Sequence, residues 1–389
     1  MSARLPVVAS SCSGDRISRD ATAGVGAAVP PFSLVDLQRR RVRYLRLSLT
    51  DRCNFRCTYC MPAEGVAVEP RDQLLRFDEI ERLCRVFIAL RISHVRLTGG
   101  EPLVRREVTS LVERVAALPG LRDLAMTTNG HRLAELAAPL RRAGLRRLNV
   151  SLDSLDAATF ARMSRTGQLA PVLEGLDAAD QAGFGRGELP PTKINTVVMR
   201  GDNDDQIPAL AAFCQTRGYV LRLIEYMPIG LDQRWGAATF VDAEEMRRHL
   251  RAAGWQLTVA DGAALAGHTP VVGDSADAAD PIASARGGGP ARYWLASRPG
   301  DERPLRLGFI TAVSDHFCAT CNRVRVNAVG TLRECLSAPG RLSLRDAMRA
   351  GLTDAELTPL IADAMRGKVD GHRFIVGQRT IESMSAIGG

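Results

Sequence analysis

Three cysteines in the run Thr50-Asp51-Arg52-Cys53-Asn54-Phe55-Arg56-Cys57-Thr58-Tyr59-Cys60 are spaced C-x3-C-x2-C, so one short loop offers three thiolates and the spacing nominates no fourth ligand. A four-iron cluster held by three cysteines keeps one iron open to a group that is not protein, whereas structural zinc closes its tetrahedron with a fourth side chain. His94 could in principle be that side chain, although nothing in the spacing selects it. A second group, Cys318-Ala319-Thr320-Cys321 with Cys335, again supplies three thiolates, as C-x2-C-x13-C. Zinc is a stronger rival here, because C-x2-C knuckles are common and His316 could complete the set. Arg323 and Arg325 follow Cys321 and alternate. In an extended segment they point the same way, which suits a phosphate grip or an ordinary solvated strand face.

These groups need elements to position them. From Arg43 to about Leu250 strand-like segments alternate with helix-like ones. The expected strands are Tyr44 to Leu49, His94 to Thr98, Asp123 to Thr128, Arg147 to Leu152, Thr192 to Met199 and Val220 to Tyr226. The expected helices are Phe77 to Leu90, Arg105 to Leu118, Arg132 to Ala143, Pro171 to Ala182, Asp204 to Arg217 and Asp242 to Ala253. Six βα units imply a parallel sheet. The unusual polar sequences all follow strands: Asp51 to Cys60, Gly99-Gly100-Glu101-Pro102, Thr127-Thr128-Asn129-Gly130, Ser151-Leu152-Asp153-Ser154 and Glu225-Tyr226-Met227-Pro228. A barrel gathers such ends around one mouth. The fold class expected is therefore α/β, an incomplete six-stranded (β/α)6 TIM-like barrel with an open side, covered by a C-terminal domain carrying the second cysteine group.

The expected domains are a disordered N-terminal extension (1–36), the partial barrel (37–259), a flexible insertion (260–290) and the C-terminal domain (291–389) ending in Gly388-Gly389. A glycine tail usually frays, but it is also slim enough to thread into a pocket. In Gly99-Gly100-Glu101-Pro102 the glycines either form a plain strand-to-helix turn or let ligand atoms approach the backbone, with Glu101 as acceptor for an ammonium group.

Composition narrows the classes. The net charge is +8, but of 51 basic residues only Lys193 and Lys368 are lysines, a bias that makes any single Arg weak support for a role. No basic stripe is interleaved with aromatics, so no nucleic-acid partner is expected. No apolar run reaches the length of a membrane span, so no membrane partner is expected either. Nine cysteines and no recognisable export signal point to a reducing, cytoplasmic setting in which cysteine groups hold metal. Cys84 and Cys214 read as buried packing residues.

Cys53-x3-Cys57-x2-Cys60, with Tyr59 before the last cysteine, resembles the radical S-adenosylmethionine superfamily. With the second triplet, Cys321-Asn322-Arg323-Val324-Arg325, Lys193 to Gly201, Glu225 to Gly230 and Gly388-Gly389, the chain is similar from about Val42 onward to the GTP 3′,8-cyclase family, which opens molybdenum cofactor biosynthesis. The resemblance implies two 4Fe–4S clusters, one on Cys53, Cys57 and Cys60 and one on Cys318, Cys321 and Cys335, the open iron of the second facing guanine. It implies S-adenosylmethionine contacts from Tyr59, Gly100, Ser151 and Met227, and GTP contacts from Arg46, Arg96, Thr127, Lys193, Arg323 and Arg325. The family's chemistry removes the ribose 3′ hydrogen and joins that carbon to guanine C8. Its partners would be GTP, S-adenosylmethionine, an electron donor and the downstream cyclic pyranopterin monophosphate synthase, with room for a homodimer. Val329 stands where the family usually has Asp. The rival readings are a radical S-adenosylmethionine peptide-modifying enzyme with an auxiliary cluster and a non-catalytic iron–sulfur redox sensor acting on nucleic acid.

Overall fold

The structure is a computed structural model describing residues 33–230, 234–260, 289–372, 374, 380 and 382–387. Most of the expected N-terminal extension, nearly all of the expected insertion and the Gly388-Gly389 tail lie outside the described residues.

Six strands, β1 (Tyr44–Ser48), β2 (His94–Thr98), β3 (Asp123–Thr128), β4 (Arg147–Ser151), β5 (Lys193–Val198) and β6 (Val220–Glu225), pair in parallel in chain order. Helices α1 (Phe77–Ala89), α2 (Val108–Ala116) and α3 (Leu133–Arg142) make the first crossovers. The β4-to-β5 crossover carries two helices, α4 (Ala157–Ser164), which periodicity did not reveal, and α5 (Leu169–Gln181). Helices α6 (Ile207–Arg217) and α7 (Ala243–Ala252) complete the series. Side-chain caps define several starts: Asp156 accepts from the Thr159 amide (2.7 Å) at α4 and Asp242 from the Glu245 amide (2.8 Å) at α7.

Alternation along the strands decides what each face does. Leu45, Leu47, Val95, Leu97, Leu124, Met126, Leu148 and Val150 belong to the apolar core shared with helix residues such as Leu83, Phe87, Leu111 and Leu140. Their neighbours, Arg46, Ser48, Arg96 and Thr98 among them, project to the opposite face. Parallel sheets buried on both faces usually read as continuous apolar runs. The alternation here marks a sheet whose concave side is polar.

The C-terminal region does more than cover the opening. Strands β7 (Gln256–Val259), β8 (Arg292–Ser297) and β9 (Leu305–Ile310) form antiparallel pairs that bring β9 parallel to β6. Strand β10 (Arg323–Val326) lies parallel to β1 at the other edge, followed by β11 (Thr331–Arg333) and β12 (Leu342–Ser343). The order is β12-β11-β10-β1-β2-β3-β4-β5-β6-β9-β8-β7, with β10, β1 to β6 and β9 all parallel. The turn into β11 closes despite Val329, because Gly330 donates to the Asn327 carbonyl (3.0 Å) and Thr331 to Asn327 Oδ1 (2.7 Å). Helices α8 (Leu344–Arg349) and α9 (Asp354–Arg366) return to α1 through the Arg349–Glu79 (2.8 Å) and Arg82–Asp354 (2.7 Å) ion pairs. Among the described residues, no helix is long and apolar enough to cross a membrane.

Because β9 packs inside the common core, the barrel and C-terminal region are expected to unfold together. Leu307→Ala, at a site with 0 % exposure, should cost about 2–5 kcal/mol and lower the midpoint of one cooperative urea transition. A separate early transition that leaves the barrel signal unmoved would contradict this.

Candidate active site

The first cysteine loop hangs from the C-terminal end of β1 and is clamped from three sides. On one side, the Gly100 amide donates to the Thr50 carbonyl (2.7 Å) and the Glu101 amide to the Arg52 carbonyl (2.8 Å). A Cβ on Gly100 would lie 2.3 Å from the Arg52 carbonyl oxygen, and Gly99, at φ +144°, would put one 2.3 Å from that of Thr50. These glycines are therefore required by the approach of the β2 turn to the cysteine loop itself. On the second side, the end of α4 accepts from the Arg56 and Thr58 amides through the Ser164 (3.0 Å) and Met163 (2.8 Å) carbonyls. On the third, Tyr59 donates its hydroxyl to Asp153 Oδ2 (2.7 Å), and Asp153 Oδ1 accepts from the Val197 amide (2.9 Å). Burial pushes Asp153 up to about 6.

Glu101, expected as an acceptor for an ammonium group, lines the cavity described below and is also an internal tie. It is 1 % exposed, and it accepts from the Leu103 amide (2.9 Å), the Thr128 hydroxyl (2.7 Å) and the Asn129 amide (2.6 Å), tying the ends of β2 and β3 together. Burial raises it to about 7. Asn129, so fixed, reaches Asn54 Oδ1 (2.8 Å) and, more distantly, Cys53 Sγ (4.0 Å).

A cavity of about 960 Å³ lies within the sheet's curve. Cys53, Cys57, Cys60, Tyr59, Gly100, Ser151 and Met227 line it, as do Arg46, Arg96, Thr127, Lys193, Arg323 and Arg325. Cys318, Cys321 and Cys335 do not line it directly, although their neighbours Phe317, Ala319, Thr320, Asn322 and Leu336 do. The second triplet thus lies next to the cavity, with Arg323 and Arg325 acting on Cys321.

The strand register explains the charge of this cavity. Arg325, Arg46 and Arg96 are paired across β10, β1 and β2 at one level. Ala125 follows on β3, leaving room, then Arg147 on β4; Lys193 pairs with Asn149, and Arg222 with Asn195. Arg147 and Arg222 also line the cavity. Neither stood out in an Arg-rich sequence, although strand alternation puts Arg147 on the face of Ser151 and Arg222 on that of Ile224. Asp123 pairs with Arg147, and Arg222 donates to the Tyr293 hydroxyl (2.7 Å). Burial, then Arg325 and Arg96, hold Arg46 well below its usual value. Arg325 is lowered to about 10 by burial and then Arg323. Lys193 is held well below the usual lysine range by burial, then by Arg222, Arg147 and Arg96. Buried polar atoms without a hydrogen-bond partner include Arg96 Nε, Arg147 Nε, Thr127 Oγ1 and Asn195 Oδ1. Such a site is built to receive a polyanion.

Three thiolates are the donor chemistry of an iron–sulfur cluster. Among the described residues no three His, Cys, Asp or Glu side chains converge as one metal ion requires. His94 sits at the N-terminal end of β2, about 13 Å of strand from Thr98, stacked on Tyr44 (5.8 Å) and hydrogen-bonded to Ser93 (2.8 Å), so it cannot close the first site. His316 packs edge-on against His372 (5.1 Å). Amides reach the first triplet, Phe55 N to Cys53 Sγ (3.4 Å) and Ser385 N to Cys60, the kind of N–H donor that cluster thiolates use. Ser385 belongs to the short helix α10 (Met384–Ile387), which brings the chain's C-terminal segment against the cysteine loop. Burial raises Cys53 to about 11 and Cys60 to about 12. Cys321 differs: burial would raise it, but Arg323 and Lys368 bring it to about 7. Cys84 and Cys214 are buried packing residues, as their positions in helices led one to expect.

Residues 47–214 match the radical SAM superfamily and residues 274–374 match the Molybdenum Cofactor Synthesis C family. The chain is 41 % identical over 355 residues to the GTP 3′,8-cyclase of Pelotomaculum thermopropionicum, covering 91 % of this chain and 99 % of that one. It is 44 % identical over 342 residues to GTP 3′,8-cyclase 1 of Pseudomonas aeruginosa, covering 87 % and 94 %. The chain belongs to the GTP 3′,8-cyclase family. In fold it is similar to the solved structure of Streptococcus suis SuiB, with a TM-score of 0.52 at 13 % identity, covering 88 % of this chain and 76 % of that one. It is thus a radical S-adenosylmethionine enzyme of α/β architecture, and that membership implies a 4Fe–4S cluster and S-adenosylmethionine.

Gly100→Ala should displace the cysteine loop without touching a thiol. The expected outcome is loss of most iron from the first site after anaerobic reconstitution, read as iron per chain, with the fold retained by circular dichroism. Wild-type iron content in that variant would show that the close approach is dispensable.

Proposed function

We propose that this enzyme, a lyase, converts GTP to (8S)-3′,8-cyclo-7,8-dihydroguanosine 5′-triphosphate, the first step of molybdenum cofactor biosynthesis. The observation that carries the reading is the set of cations aimed into one cavity from β10, β1, β2, β4, β5 and β6. That cavity runs from the first cysteine triplet to residues that flank the second. A triphosphate needs several fixed cations and a purine needs space, and the volume accommodates a nucleotide beside S-adenosylmethionine.

In this reading Cys53, Cys57 and Cys60 hold the first cluster, and Cys318, Cys321 and Cys335 hold a second whose open side meets guanine. Bound at the first triplet, cluster and S-adenosylmethionine together supply a primary carbon radical. The chain's own residues do the rest by placement. Tyr59, Gly100, Ser151 and Met227 hold S-adenosylmethionine near the loop. Arg46, Arg96, Thr127 and Lys193 bind GTP from β1, β2, β3 and β5, and Arg323 and Arg325 from β10 beside β1, with Arg147 and Arg222 adding charge. Holding the ribose 3′ carbon beside the radical source and guanine C8 beside the ribose turns two bimolecular encounters into intramolecular ones. The enclosing sheet excludes water and side reactions. The setting is a reducing cytoplasm, with an electron donor and a downstream cyclic pyranopterin monophosphate synthase that takes the product.

Anaerobic incubation of the reconstituted enzyme with reductant, S-adenosylmethionine and GTP should yield 5′-deoxyadenosine and a nucleotide isomeric with GTP, equal in mass but separable by chromatography and changed in ultraviolet absorbance, and 3′-deuterated GTP should pass its label to the 5′-deoxyadenosine. Consumption of S-adenosylmethionine with GTP recovered unchanged would contradict the proposal.

A further inference from the structure

Two buried cations join three distant stretches of chain around the second cysteine triplet. Arg40 is 8 % exposed and Lys368 is 3 % exposed. Arg40 pairs its Nε with Asp36 (2.5 Å) and donates to the carbonyls of Cys318 (2.7 Å) and Val369 (2.7 Å), with longer contacts to Lys368 (3.4 Å) and Asp370 (3.5 Å). Lys368 Nζ donates to the carbonyl of Arg323 (3.0 Å) and to that of Glu334. Cys318 is thus held by its own carbonyl. Cys321 is held through the residue two positions after it, and Cys335 through the residue just before it. The two grips meet at 368–370.

We infer that Arg40 and Lys368 form a two-cation staple that sets the spacing of Cys318, Cys321 and Cys335 and places a buried positive charge beside the cluster they hold. The inference rests on the second-cluster reading given above. Carbonyl dipoles solvate the Lys368 ammonium without neutralising it, and a buried charge needs an opposite charge close by. Three thiolates supply it. Lysine rather than arginine stands here in a chain that uses lysine twice among 51 basic residues. An ammonium with donors pointing several ways reaches both the carbonyl beside β10 and the one before Cys335. A fixed positive charge near a cluster favours its reduced, more negative state and so raises its potential. Lys368 and Arg40 are positioning residues, acting through the cysteines.

The test uses the full chain, reconstituted anaerobically, with Lys368→Met and Lys368→Arg compared with the unaltered enzyme. Iron per chain and the reduction potential of the GTP-responsive paramagnetic signal are measured, with uncoupled cleavage of S-adenosylmethionine as the check that the first site is intact. Lys368→Met should move the potential of that signal to more negative values, or lose the second cluster and fall from about eight irons to about four, while cleavage continues. Lys368→Arg should restore the cluster and most of the potential. A Met variant with unchanged iron and potential, or an Arg variant no better than Met, would overturn the staple. About four irons with zinc in the unaltered enzyme would instead overturn the second-cluster reading, and the staple with it.

Discussion

Like charges facing one another across adjacent strands are the constraint on which this molecule turns. Arg325, Arg46 and Arg96 share one register level, and neighbouring strands lie about 4.8 Å apart. Two unit charges about 5 Å apart repel by about 3 kcal/mol at an effective dielectric near 20. The sheet tolerates this because its other face is held by an apolar core running from Leu45 and Leu47 through Val95, Leu124, Leu148, Ile194 and Leu221 to Leu307 and Phe309. Helices cover that face completely enough that many of these side chains have no exposure. The repulsion is the counterpart of affinity: whatever anion enters relieves it.

The same logic places the radical-generating end. The cysteine loop is set by backbone contacts, Gly100 against Thr50 and Arg52, and by buried carboxylates, Glu101 and Asp153, whose oxygens are used to tie strand ends together. Positive charge is concentrated along the strands, and the first triplet has carboxylates near it. Glu225 plays a matching part at the far edge, accepting from the Val313 (2.8 Å) and Ser314 (2.9 Å) amides and so ordering the chain that leads to Cys318. The two cysteine groups therefore flank neighbouring strands of one sheet, the first after β1 and the second around β10, which pairs with it.

Much of this was legible in the sequence because local alternation carries it. The six strands were read within a residue or two at each end, and Arg323 and Arg325 do share a face. What was not legible is long-range. Nothing local in Leu305–Ile310 or Arg323–Val326 says that one will lie parallel to β6 and the other to β1, because pairing partners are chosen by the whole chain. Helix α4 was missed because eight residues carry too little periodicity. Arg147 and Arg222 were hidden by the abundance of arginine. Gly99 and Gly100 were recognised as special, but the atoms that press on them belong to the protein's own backbone.

Calorimetric titration of GTP into the reconstituted enzyme, in two buffers of different ionisation enthalpy at about pH 8.5, tests the buried-cation account most directly. The phosphates are then fully ionised, their second pKa being about 6, so they contribute no proton change. Lys193 is depressed by burial and neighbouring arginines in the free site, and a triphosphate raises it again. The account predicts net proton uptake on binding, an affinity that falls as pH rises, and much weaker binding of guanosine. Equal affinities for GTP and guanosine, with no proton exchanged, would contradict it.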